Sequence, residues 1–398
     1  MTQTLLTPTQ VTRKALMILH QKLNFIGSIN RGYDDSFAKD GAKIGDTLKI
    51  RVPNQYTVRN GATLNAQDIT ETTVNLQVAT QKGVDVNFSS AELTLSLDDF
   101  AERILDPAMS ALAANIEADA MSMYKDVYQQ VTNNGAAITF NKVLVGRKRL
   151  VDSLAPLDNR TCNLNTQDNV DLVDALKGLF QDSTSIARQY REGFMGRTAG
   201  FDFVENTLWP AHTPGTKAGT PLVNGATQAG SSLVTDGWTA STAALKKGDI
   251  FTIANVFAVH PESKAVTSQL QQFVATADGT ADGSGNLTVP VSPAIVTSGA
   301  MQTVSGSPAD NAAITVVGTA STAYGISLAY QKNAFAFATA DLIMPKGVDF
   351  AAREVLDGIS MRIVRQYDIT NDKFPCRIDV LYGYKTVRPQ LACRLANN

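Results

Sequence analysis

Residues 106 to 131, DPAMSALAANIEADAMSMYKDVYQQV, constrain this chain more than any other stretch, because nothing in them favours a state other than helix. Asp106 followed by Pro107 is a start signal: a side-chain acceptor at the cap, then a residue whose missing N–H would be unpaired in any case. Ala108, Leu112, Ile116, Ala120, Met123, Val127 and Val131 recur at three or four, so they share one face. Leu112, Ile116, Met123 and Val127 are the expected core contacts of this spine. Asn133, Asn134 and Gly135 supply a stop. At about 1.5 Å per residue the rod spans roughly 37 Å. LSLDDFAERIL before it predicts a short lead-in helix capped near Ser96. Such a rod suits the main core helix of an α/β protein. Its Ala-rich, acid-dotted opposite face equally suits a strut laid along a neighbour or a shell.

Before the spine, a short helix runs through RKALMILHQKL, with Val11, Ala15, Leu16, Ile18 and Leu19 on a mostly apolar side. NFIGSINRGYDDSFAKDGAKIGD then has neither helical nor strand periodicity and predicts an extended arm ordered by a partner. From Thr47 the period is two: Leu48, Ile50 and Val52 alternate with Lys49 and Arg51, and Tyr56 and Val58 extend the limb to the turn pair Asn60-Gly61. Val74, Leu76 and Val78 form the return limb. The expected product is a long hairpin with a mobile tip, which needs something to lie on. Val84, Val86 and Phe88 begin a further strand.

After Gly135, residues 138–154 mix strand-like pieces with the basic trio Arg147-Lys148-Arg149, which reads as a solvated helix face or, less simply, a nucleic-acid contact. A strand end and a helix opened by Asn165 or Thr166 follow. From His212 to Ala323 the chain turns to Gly, Ala, Thr, Ser and Val with few charges. SSLVTD, DIFTIA, VFAVH, LQQFVATA, NLTVPV and AITVVG recur between turns, and Trp238, Phe251, Phe257 and Phe273 supply aromatics. That pattern predicts a small antiparallel barrel or sandwich. From Tyr324 the earlier composition returns, as if the barrel were spliced into a continuing domain. AFAFATADLIMP predicts buried strand. Ile359, Met361 and Ile363, then Ile378, Val380 and Tyr382 across NDKFP, predict a second hairpin.

At 398 residues two or three domains fit. A net charge of −2 argues against a broad nucleic-acid or anionic-membrane surface. Cys162, Cys376 and Cys393 lack metal-ligand spacing and suggest a reducing compartment. ALMIL at 15–19 is too short for a signal sequence or membrane span, so a soluble chain made inside the cell is expected.

Catalytic chemistry is thin. The three histidines, His20, His212 and His260, sit on the first helix and in or beside the barrel region. No nucleophile elbow, H-E-x-x-H or paired C-x-x-C occurs. Gly193, Gly196 and Gly200 lack the spacing of a dinucleotide loop. Asp278, Thr280, Asp282, Gly283, Ser284 and Asn286 imitate part of a calcium loop, but Val289 stands where a bidentate Glu should close it. We expect no enzyme activity, no cofactor and no metal.

An arm, a hairpin, a spine, a mixed domain and an inserted barrel without an active site suit a shell subunit. The residues resemble the major capsid proteins of tailed bacteriophages, most closely the coat proteins of the short-tailed Salmonella transducing phage and its relatives, which carry an inserted β-barrel. The resemblance runs through residues 19–62, SLDDFAERILDPAMSALAANIEADA at 96–120, NTQD at 165–168, AGFD at 199–202, GDIFTIANVFAVHPESK at 248–264, AYQKNAFAFATADLIMP at 329–345 and NDKFPCRIDVLYGYKTVRPQLACRL at 371–395. It departs at Gln331, where relatives commonly carry His.

The resemblance implies the α+β fold shared by tailed-phage and herpesvirus capsids. Residues 1–45 would be the N-terminal arm, 46–90 the extended loop over an adjacent subunit, and 91–135 the peripheral domain with its spine helix. Residues 136–211 would begin the axial domain, 212–323 would be the inserted barrel, and 324–398 would complete the axial and peripheral domains. It further implies a homo-oligomer of hexamers and pentamers closing an icosahedral shell, assembled in the bacterial cytoplasm with a scaffolding protein and a portal protein. Packaged double-stranded DNA would touch the inner face weakly, and no membrane is involved. Some relatives of the fold crosslink through Lys and Asn, but no motif here carries that over. Arg51, Arg59 and Asp68 on the loop are the candidate inter-subunit contacts. Two rivals are a nanocompartment shell protein of the encapsulin type, which would not carry this barrel, and a carbohydrate-active enzyme with a β-module, which needs an acid pair not seen.

Overall fold

A computed structural model describes residues 8–34, 47–59, 61–64, 66–68, 71–88, 104–176, 196–370 and 373–397. The chain forms two compact units, one of Met1–Arg51, Thr73–Ser122 and Phe335–Val387, the other of Val52–Thr72, Met123–Ala334 and Arg388–Asn398.

The first unit holds the spine, Asp106–Met121, and corrects its expected limits. The chain enters it already helical: Leu105 has φ −71° and ψ −42°, and no side chain caps the start. Leucine has no side-chain acceptor for the first N–H groups, and its helical dihedrals continue the turn into Asp106. Asp106 therefore sits inside the first turn and pairs with Lys22 at 3.1 Å. At the other end, Ser122 Oγ donates to the Asp119 carbonyl at 2.6 Å, and the helix tightens to a 3-10 turn over Ser122–Asp126. A hydroxyl competing for the last carbonyls favours such an ending. Val131 belongs instead to a strand, Gln130–Thr132. The part of the expected lead-in helix over 95–103 lies outside the described residues.

The acids expected on an open face of the spine are used inside this unit. Glu117 is buried and accepts the backbone N–H groups of Phe25 and Ile26 at 2.7 and 3.3 Å, satisfying the start of the short helix Phe25–Ser28. Asp119 accepts from the Tyr382 hydroxyl at 2.6 Å and pairs with Lys82 at 2.7 Å. The expectation of an extended arm ordered by a partner is corrected for 24–34, which the chain itself orders. Phe25, Ile26 and Ile29 are fully buried, and Asn30–Asp34 adds a parallel strand to Phe335–Ala340. Apolar anchors and a row of backbone partners supply what periodicity does not reveal. Helix Pro8–Lys22 buries Val11, Thr12, Ala15, Leu16 and Leu19.

The long strand Phe374–Thr386 is the axis of this unit's sheet. Ile378 faces Ile363 of Ile359–Arg365 on one edge and Val84 of Thr80–Phe88 on the other, and Tyr384 faces Phe337 further along. Gly383 interrupts its side-chain row because a Cβ there would strike the backbone of Gln77 and Val78. The first predicted hairpin is shorter than expected. Thr47–Val52 pairs with Thr72–Gln77, and neither Tyr56 nor Val58 is in a strand. Pro53, with no N–H to donate, ends the ladder.

The second unit contains a mixed sheet in the order Gln130–Thr132, Ala392–Ala396, Tyr324–Gln331, Arg160–Leu164, Phe201–Glu205, Arg197–Thr198. Helix Phe140–Asp152 packs on it, and Gly146 leaves the room that Leu395 and Cys393 occupy. The strand-like pieces expected over 138–154 are thus helix. Val143 and Leu150 fall on one face while Arg147 and Lys148 point outward, so a period of 3.6 outweighs the β-branched composition. Asn165 opens helix Thr166–Leu176, its Oδ1 accepting from Asp168 N at 2.7 Å.

Six further strands form one antiparallel sheet in the order Gly219–Val223, Gly230–Trp238, Leu287–Ile295, Val266–Ala275, Ile250–Val259, Ile314–Val316. Its ends meet where Val223 N donates to the Ala312 carbonyl at 3.0 Å and Asn311 N to the Val223 carbonyl at 2.9 Å, so the sheet closes into a barrel. Leu233, Trp238, Ile253 and Val289 fill it, with Phe251 and Phe273 stacked at 5.9 Å. The first strand, GTPLV, escaped the sequence reading because a proline and two small residues hide its period.

Candidate functional site

Several polar groups singled out in the sequence make structural contacts. His20 contacts Asp357 at 3.0 Å beside Arg31, and His260 accepts the backbone N–H groups of Glu262 and Ser263 through Nδ1. Asp282, in the stretch that imitates a calcium loop, accepts from Ser284 N, Asn286 N and Asn286 Nδ2, which closes a turn and leaves no ligand set. Cys162, Cys376 and Cys393 are buried and unpaired, and burial pushes the Cys376 and Cys393 thiols up to about 12. Among the described residues no three His, Cys, Asp or Glu side chains converge as metal ligands. A recess of about 650 Å³ is lined by Lys148, Arg149, His260, Lys264 and Gln129.

At the root of the barrel, four buried polar side chains meet. Asp249 precedes the strand Ile250–Val259. It accepts from His212 Nε2 at 2.9 Å and from the backbone N–H groups of Gly215 and Lys246 at 2.9 Å each. Tyr124 lies 3.2 Å from His212 Nδ1 and carries the Arg394 guanidinium 5.8 Å over its ring. Arg394 also donates to the Gly248 carbonyl at 2.7 Å. Burial outweighs the bond to Asp249 and holds His212 below the usual histidine range. Burial alone would raise Asp249, yet its hydrogen bonds from His212, Gly215 and Lys246 hold it below the usual carboxylate range. Burial likewise draws the Arg394 guanidinium down to about 10. This constellation ties the chain entering the barrel, at His212 and Gly215, to Gly248 and Asp249 just before the strand Ile250–Val259. Sequence reasoning missed it, although one signal was present: Arg394 is a cation inside the apolar run LACRLA.

Among the described residues of this unit, the two most exposed large apolar side chains lie on residues 53–71. Val58 is 93% exposed, Leu64 82% and Tyr56 55%. The loop holds its own shape: Gln67 exchanges two hydrogen bonds with the Thr57 backbone at 2.9 and 2.6 Å. Arg59 donates to the carbonyls of Gly61 and Thr63. Arg51, Arg59 and Asp68 are all exposed. Arg59 is turned onto its own loop, and the structure does not bring it to Asp68. The spine residues Leu112 and Ile116 are buried on the helix, Met123 on the 3-10 turn and Val127 after it. Among the described residues no helix is long and apolar enough to cross a membrane.

Residues 40–394 match the family described as P22 coat protein, gene protein 5. No curated protein matches the chain. Among solved structures, a chain from Mycobacterium phage Che8 is 14% identical, with 94% of this chain and 91% of that chain covered at a TM-score of 0.46. The capsid of Cyanophage P-SCSP1u gives 11% identity, 94% and 89% coverage and a TM-score of 0.45. The CUS-3 coat protein I-domain is 26% identical over 25% of this chain and 96% of that chain, with a TM-score of 0.20.

Proposed function

The chain belongs to the P22 coat protein family, and from that premise we propose that its copies close, as hexamers and pentamers, into the icosahedral shell of a tailed bacteriophage. The family match across residues 40–394 carries this reading. The loop at 53–71 supports it, since Tyr56, Val58 and Leu64 have no cover in the single chain and a shell supplies one on the adjacent subunit. Arg59 and Asp68 lie on the same loop and, with Arg51, are the candidate inter-subunit contacts. Each exposed pair is worth only about 0–1 kcal/mol, but a shell repeats every contact. The chain acts as a structural subunit and not as an enzyme. Assembly takes place in the host cytoplasm with a scaffolding and a portal protein, and packaged DNA lies against the inner face.

The domain plan suited to this function keeps 1–45 as arm, 46–90 as extended loop, 91–135 as peripheral domain with the spine, 136–211 and parts of 324–398 as axial domain, and 212–323 as insertion. The test is electron microscopy of the chain expressed with and without a scaffolding partner. Closed shells large enough for a phage genome are the expected result. Small compartments of fixed size would move the chain to the encapsulin-like reading, and the absence of any shell would remove both.

A further inference from the structure

Helix Thr166–Leu176 turns its first acid into the protein. Asp168 is 0% exposed, and three donors converge on its Oδ2: Ser327 Oγ, Asn397 Nδ2 at 3.0 Å and Asn165 Nδ2 at 3.1 Å. Its other oxygen, Oδ1, has no hydrogen-bond partner. Nor does Oδ1 of Asn397, a residue 1% exposed whose amide already touches Asp168. One helical turn on, Asp171 accepts from Gln167 Nε2 through Oδ1 at 3.0 Å, and its buried Oδ2 is likewise without a partner.

Two carboxylates and an amide carbonyl thus each hold back one acceptor at the same helix end. An unpartnered buried acceptor is costly when charged, and among the described residues no lysine or arginine is paired with either aspartate. An anion or a peptide carbonyl would only add acceptors. A single water brings two hydrogens to three oxygens. A hard cation ligated by all three would satisfy them together, and the donor set has no nitrogen or sulfur to favour a transition metal.

We propose that Asp168, Asp171 and Asn397 form a calcium site. The three donors on Asp168 Oδ2 fix the carboxylate so that Oδ1 is presented, which is the part outer partners play around metal ligands. Waters complete the coordination through the half-exposed Asp171. Ca²⁺ fits better than Mg²⁺, which demands near-ideal octahedral geometry that one helix turn and a strand end do not impose. The ion ties helix Thr166–Leu176 to the chain just after Ala392–Ala396, and Ser327 links it to Tyr324–Gln331, the strand paired with Ala392–Ala396. Its role is to lock the C-terminal strand into the sheet.

The test uses the full chain, stripped with a chelator and titrated with calcium chloride by calorimetry and thermal unfolding. One Ca²⁺ per chain and a saturable rise in Tm are expected, with no response to sodium chloride at equal ionic strength. Asp168→Asn disturbs three hydrogen bonds and can unfold the site on its own. Asp171→Asn is the cleaner variant: it should keep the wild-type circular dichroism and lose about 10-fold or more in affinity. Absence of both heat and Tm shift at millimolar Ca²⁺ overturns the site. So does a calcium response that Asp171→Asn leaves unchanged, and a larger shift with Mg²⁺ overturns the choice of ion.

Discussion

The barrel over 219–316 and the loop over 53–71 belong to the same unit and treat their apolar side chains in opposite ways. The barrel turns Leu233, Trp238, Phe251, Phe273 and Val289 inward and closes its ladder on itself, so it has neither a bare core nor a bare edge. The loop ends its ladder at Pro53, holds its shape through Gln67 and Arg59, and points Val58 and Leu64 outward. The barrel can be stable alone, whereas on the proposed reading the loop is covered by an adjacent subunit. A shell subunit needs both kinds of segment, one to be carried and one to carry.

The strongest way to break that contrast is to empty the barrel. Phe273→Ala should cost about 3–5 kcal/mol, seen as an early unfolding transition in denaturant. Residues 212–323 expressed alone should give a soluble β-rich monomer with a cooperative melt and dispersed amide signals. If the fragment is collapsed and exchanges rapidly, the barrel is not self-sufficient and the contrast fails.

The next test acts at the root, where the barrel meets its own unit. An unfolded histidine takes up a proton near pH 6.5, while folded His212 takes one only at lower pH. Its contribution to stability is therefore complete above about pH 6.5 and is lost as pH falls from there through the folded value. Asp249, also held low, contributes in the same direction: its share is present above about pH 4 and goes as pH falls through its folded pKa. Stability measured against pH should decline on the acid side, and His212→Gln should flatten the part just below pH 6.5. An unchanged acid limb in that variant would assign the decline to other groups.

Charging the loop should leave folding alone. Val58→Asp is expected to shift unfolding by no more than about 0.5 kcal/mol, yet to reduce shell yield sharply in micrographs. A loss of monomer stability would mean that the loop packs within its own chain. The smallest effect belongs to Arg59→Glu, which should lower assembly yield modestly and more at low salt, because exposed ion pairs are screened. Equal yields across a salt series would remove Arg59 from the interface.

Much of this architecture is legible in local pattern. Alternation at Leu48–Ile50–Val52 and at Ile359–Met361–Ile363, helical spacing at Leu112 and Ile116, and turn-separated valines in the barrel each report a nearby backbone state, because period and burial are coupled within a few residues. The motifs at 96–120 and 371–395 carried the family in the same way, as runs of adjacent letters. Contacts between distant residues decided what local period does not contain. The sequence expectation ran the spine helix to Val131, but Ser122 bonding back to Asp119 tightens the chain, and the Ala392–Ala396 strand takes Val131. Residues 24–34 read as an arm awaiting a partner, but Phe335–Ala340 offers a strand edge and Glu117 two acceptor bonds within the same chain. Arg394, His212 and Asp249 are unremarkable one at a time, and Asn397 lies more than two hundred residues along the chain from Asp168 and Asp171. Sequence determined the elements because secondary structure is a short-range property. The buried polar clusters were settled by tertiary structure, since a polar group's cost depends on which remote neighbours remove its water and which of them replace it.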